Sequence, residues 1–161
     1  MAHKYEHRVP PNTWIVVCDR TRARIFNSIW PHEQPWNEVG DLVHPEARQH
    51  ERDTISDGPG TFAGASGARH AGDQKTDFRH RTAEEFARQV VDHLEQHRLR
   101  DNFGEVVVIA PAVFLGVLRE TYAAPLARMV RREIDKEYVH LTSDELQERL
   151  SELDVLKAAE A

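Results

Sequence analysis

The sequence predicts an α/β domain, a β-sheet flanked by helices, on three observations. TWIVVCD (13–19) and EVVVIA (105–110) each hold a continuous apolar run, as strands buried on both faces do. Three strand-like segments follow one another early, with short connections between them. After a long irregular stretch, segments of helical period alternate with strands, an order that packs helices onto a sheet.

Taken in order, residues 1–12 read as a flexible arm ending at Pro10 and Pro11, and residues 13–150 as a single domain. TWIVVCD is rich in β-branched residues and forms the first strand. RTRAR (20–24) makes a polar turn, and RIFNSIW (24–30) alternates as a second strand. Pro31 and Pro35 bracket a loop before WNEVGDLVH (36–44), a third and more exposed strand. The short connections make these three an antiparallel meander. From Pro45 to about Phe78 no period of 2 or 3.6 survives, so the reading places a long loop over 45–80; such loops are commonly functional.

Thr82 with Glu85 has the spacing of a capping box and predicts a helix start. Ala83, Phe86, Ala87, Val90, Val91 and Leu94 share its apolar face, and it ends near Arg98–Arg100. Asn102 and Gly104 turn the chain into EVVVIA, a second fully apolar strand that, with the first, is expected at the sheet centre. Pro111 suits the first turn of a helix over PAVFLGVLRETYA. PLARMVRREI predicts a further helix and DKEYVHL an extended edge strand. Thr142 and Glu145 form another capping box, opening SDELQERLSELDVL, with the helix end and tail over 151–161.

At 161 residues the chain is long enough for one hydrophobic core. No apolar run is long enough to span a membrane. The opening MAHKYEHRVPPN lacks a signal-peptide core, so a cytoplasmic location is expected. The single cysteine, Cys18, lies in an apolar run and reads as a buried thiol. A net charge of −6 opposes broad binding to phosphate backbones, so no DNA partner is expected.

Five of the eight glycines (58, 60, 64, 67 and 72) fall in SDGPGTFAGASGARHAGDQKTD, residues 56–77. Gly67 and Gly72 have the spacing of a phosphate-binding loop, but Asp73-Gln74 stands where Lys-Ser/Thr would be needed. A dinucleotide fingerprint is missing as well, and no cofactor is implied. His93 and His97, four apart on a helix, could share a metal, yet HLEQH lacks the glutamate that follows the first histidine in a metalloprotease helix. A structural role on the flank of the apolar face is the preferred reading. His50, His70 and His80, with Asp53, Asp57, Asp73 and Asp77, leave a metal or acid–base site in the loop open. Ser56 and Ser66 lack a nucleophile-elbow context. RTRAR and RMVRR (128–132) are local basic clusters, read as solvated turn and helix faces.

Six blocks together carry a family resemblance: WIVVCDRTRARIFN, DLVHPEARQHERDTISDGPG, GARHAGDQKTD ahead of EEFARQVVDHLE, VVVIAPAVFLGVLR, and IDKEYVHLTSDELQERL. In order, and from about Trp14 to Leu150, they resemble the bacterial host attachment protein family. That family looks like a branch of the class-1 release factor and Pelota superfamily, represented by the middle domain alone. The resemblance implies a ribonuclease H-like mixed sheet. It also implies that the loop stands where release factors carry Gly-Gly-Gln, with Gly72-Asp73-Gln74 as a variant and Gln74 as the catalytic candidate. Asp73 departs from the pattern: it reaches glycine's backbone angles less easily, and it sets a carboxylate beside a developing oxyanion.

The expected function is therefore a non-enzymatic binding or adaptor module acting through the glycine-rich loop. Its binding residues are read as Arg48, His50, Arg52, Asp53, Asp57, Gly58, Gly60, Arg69, His70, Gly72 and Asp77. The alternative is a ribosome-associated rescue or peptidyl-tRNA hydrolysis factor. The partner is accordingly an unidentified protein, or the ribosome with its tRNA.

Overall fold

The computed structural model describes residues 12–28, 35–49 and 67–153, the side chains of 67–73 excepted. Its centre is a five-stranded mixed sheet. The strands are β1 (Thr13–Cys18), β2 (Arg22–Ser28), β3 (Asn37–Val43), β4 (Glu105–Ala110) and β5 (Val130–Asp135), in the spatial order β3-β2-β1-β4-β5. The first three form the expected antiparallel meander, while β4 runs parallel to both β1 and β5. The helices are α1 (Gly67–Leu99), α2 (Ala112–Thr121), α3 (Ala124–Met129) and α4 (Ser143–Glu152).

Strand alternation sorts the core into two halves. Trp14, Val16, Cys18, Ala23, Ile25, Val106 and Val108 point to one face, where Phe86, Val90 and Leu94 of α1, Phe114 and Leu118 of α2, and Leu126 of α3 cover them. Ile15, Val17, Phe26, Val107 and Ile109 point to the other, under Trp36, Val139 and Leu146 and Leu150 of α4. Both faces of β1 and β4 are therefore dry, which is why those strands read as unbroken apolar runs. β3 is the exposed edge, as expected.

Three expectations are corrected. The helix expected to start at Thr82 begins at Gly67, so residues 67–81 are helical and not loop. Thr82 does not cap it: its buried hydroxyl donates back to the carbonyls of Phe78 (3.0 Å) and Arg79 (3.1 Å), a mid-helix habit of threonine. The irregular stretch is shortened from its other end too, by a helical turn at 45–49. The expected helix PLARMVRREI stops at Met129, and VRREID, not DKEYVHL, forms the edge strand. The capping box of Thr142 and Glu145 is present in both directions, at 2.8 and 3.2 Å.

α1 ends in a left-handed residue, Asp101 (φ 56°), and the N–H of Asn102 donates to the carbonyl of His97 at 3.1 Å. This closes the last turn as a Schellman motif, with aspartate where glycine is commoner.

Candidate functional site

Two neighbouring features of α1 could carry function. The first is the exposed run 74–81 in the opening half of the helix. At 33 residues it is about 50 Å long, against about 20 Å for a strand of six or seven residues. No described side chain before Thr82 is buried: Gln74, Lys75, Thr76, Asp77, Arg79, His80 and Arg81 are exposed, and Phe78 is half-buried. Lys75, Arg79 and Arg81 set three cations against the single carboxylate of Asp77, a basic stretch on a chain of net charge −6. The Arg81 guanidinium lies 5.7 Å from the centre of the Phe78 ring. His80 Nε2 is 3.0 Å from Glu84 Oε1, one turn on.

The second feature is a hollow of about 460 Å³ where β3 runs into the 45–49 turn beside α1. It is lined by His44, Pro45, Glu46, Glu85, Arg88 and Gln89. His44 is buried, its ring stacked on Phe86 with centroids 5.4 Å apart and 6° between planes. Its backbone N–H donates to the Thr21 carbonyl at 2.8 Å.

The residues expected from sequence fall as follows. Gln74 and Asp77 are exposed on α1. Arg69, His70, Gly72 and Asp73 lie in the same helix by backbone, so Gly72-Asp73-Gln74 is helical and not the tip of a loop. Arg48 is exposed in the 45–49 turn. His50, Arg52, Asp53, Asp57, Gly58 and Gly60, with Ser56 and Ser66, lie outside the described residues. His44, Glu46 and Glu85 are additions: Glu85 is separated from the other two by some forty residues, and only the packing of α1 on the sheet unites them.

Four arginines of the two basic clusters have partners of their own. Arg22 pairs with Asp41 at 2.7 Å, and Arg24 turns inward to the carbonyls of Val139 and Leu141. Arg131 pairs with Glu105 at 3.1 Å, and Arg132 reaches the Leu153 carbonyl at 3.4 Å. Cys18 is buried, and desolvation, with Asp19 adding, pushes its thiol pKa far above the ordinary value. It is a core thiol, as expected.

His93 and His97 touch, with ring centroids 4.7 Å apart. His97 also meets the Trp14 ring at 4.9 Å, and its Nδ1 lies 2.7 Å from Asn102 Nδ2. Among the described residues they are not joined by a third ligand. Among the described residues His93 Nε2 is buried without a hydrogen-bond partner, beneath Gly40 of β3, where an added Cβ would come within 3.3 Å of it. Desolvation, and then the neighbouring His97, lower the His93 pKa below its ordinary value. The unfolded chain takes up this proton near pH 6.5 and the folded one only at lower pH, so the fold loses stability as pH falls through that window. Urea midpoints at pH 7.5 and 5.5 are expected to differ less for His93→Gln than for wild type. Equal differences would contradict the assignment.

Residues 14–150 match the family described as "Protein required for attachment to host cells". No curated protein matches the chain. Among the described residues, no helix is long and apolar enough to cross a membrane.

Proposed function

The chain belongs to the host attachment protein family, and from that membership we propose that it is a cytoplasmic binding or adaptor module whose contact element is the first half of α1. The observation that carries this reading is the run 74–81, which is exposed except at Phe78 and is cationic on an acidic protein. Such a segment attracts a partner that presents carboxylates, and charge complementarity governs both encounter and register. The glycine-rich stretch then contributes a helix, not a loop, from Gly67 onward.

A ribosome-associated role in rescue or peptidyl-tRNA hydrolysis is the second reading. Exposed Gln74 beside Lys75 favours it, as does a mixed sheet with helices on both faces, in keeping with a ribonuclease H-like, release-factor middle-domain-like fold. The helical backbone at 72–74 and the carboxylate-bearing residue 73 weigh on the other side, since the chemistry of Gly-Gly-Gln relies on glycine's backbone freedom.

Capture of partners on the purified full chain tests the choice. Wild type and Gln74→Ala are expected to retain the same discrete protein. The triple variant Lys75→Glu/Arg79→Glu/Arg81→Glu is expected to lose it by about tenfold or more. Equal retention by the triple variant would overturn the reading, as would Gln74-dependent release of peptide from tRNA.

A further inference from the structure

His44, Glu46 and Glu85 each offer one ligand atom, and the three atoms lie within 4.8 Å of one another. They come from the end of β3, the following turn and the middle of α1. We propose that they form a binding site for a divalent transition-metal ion of the Zn²⁺ class, which ties the end of β3 to α1.

Four observations carry the site. The His44 side chain is only 5% exposed, and its Nε2 faces Glu85 Oε2 at 3.9 Å, beyond hydrogen-bonding distance. Among the described residues its Nδ1, which is buried, also lacks a hydrogen-bond partner. A buried imidazole with neither nitrogen hydrogen-bonded is costly unless something else occupies a lone pair. The ring is held in place by Phe86 and by the backbone bond to Thr21, so it is a rigid ligand.

The two carboxylates are the movable ligands: Glu46 is exposed and the Glu85 side chain is 40% exposed. Bonds of about 2.0–2.1 Å in a tetrahedron set ligand atoms roughly 3.3 Å apart. Closing from 4.8 Å therefore takes about 1–1.5 Å of movement, within reach of a glutamate rotamer change. The hollow of about 460 Å³ before these residues leaves room for the ion and a water ligand. Arg88, the one arginine or lysine among the described lining residues, has its guanidinium 3.8 Å from Glu84 Oε2, a carboxylate outside the cluster. One imidazole with two carboxylates selects borderline first-row ions over Mg²⁺ and Ca²⁺, which prefer an all-oxygen shell.

The site is independent of the reading of the partner surface. Its test is Zn²⁺ titration of the tag-free, metal-stripped full chain by calorimetry, with the melting temperature and Co²⁺ absorption as further readouts. One equivalent is expected to bind and to raise the melting temperature. Co²⁺ is expected to give visible bands at the same stoichiometry, and a thousandfold excess of Mg²⁺ is expected not to displace Zn²⁺. Glu46→Gln and Glu85→Gln are each expected to weaken binding at least tenfold while leaving the circular dichroism spectrum unchanged. Glu84→Gln and His93→Gln are expected to bind as wild type does. Absence of stoichiometric binding would overturn the proposal, as would wild-type affinity in both glutamine variants of the cluster. Loss of binding in His93→Gln would place the ion on the His93–His97 pair and overturn it equally, and displacement by Mg²⁺ would overturn the assigned ion class.

Discussion

Phe86→Ala is expected to cost about 3–5 kcal/mol of folding stability, the largest effect of any substitution considered. The Phe86 side chain is completely buried, lies flat against His44, and stacks on Phe114 of α2 with centroids 6.2 Å apart. Truncation removes its transfer free energy and leaves a cavity that three elements border. The strand end, α1 and α2 are each held by other contacts, so the walls cannot collapse to fill it. Natural domains hold only about 5–15 kcal/mol in total, so the variant should unfold at a much lower urea concentration. A midpoint close to that of wild type would show that Phe86 is not central to this core.

Arg24→Met is expected to cost about 2–4 kcal/mol, because it removes the donor from two backbone carbonyls at once. Arg24 is buried on the α4 side of the sheet. Its Nη1 donates to the carbonyls of Val139 and Leu141, and its guanidinium lies 5.1 Å from the centre of the Phe26 ring. Methionine retains the apolar stem but leaves those carbonyls unpaired, and lysine cannot present the same planar fork. Arg22, two residues earlier, provides the internal comparison. Its pair with Asp41 is more than a third exposed on both sides, so Arg22→Met should cost no more than about 1 kcal/mol. Equal losses in the two variants, measured by urea unfolding, would contradict the buried role of Arg24.

What could be read from the sequence follows the burial of each element. β1 and β4 are dry on both faces, and the capping box at Thr142 sits at a real helix start, so local signals and packing agree there. α1 was legible only from Ala83 onward because only that part has an apolar face. Its first half is polar nearly all round and contains Gly67 and Gly72, both of which count against helix in any propensity reading. The Thr82–Glu85 spacing imitated a cap, while the hydroxyl in fact bonds backwards within the helix. β5 escaped because it is an edge strand in which only Ile134 is buried, so VRREID shows neither period. The same logic explains the hollow. His44 and Glu46 are near neighbours in sequence, but Glu85 lies some forty residues on, at capping-box spacing from Thr82. Only the packing of α1 on the sheet brings it to them.

The exposed run 74–81 of α1 is proposed as a contact surface for a protein. Site-specific photo-crosslinking in cells tests it most directly, with the crosslinker placed at Lys75, at Arg79, or at Glu148 on α4 across the sheet. A discrete protein adduct is expected from positions 75 and 79 and none from position 148. Adducts to ribosomal RNA or tRNA from the helix, or equal adducts from all three positions, would contradict it.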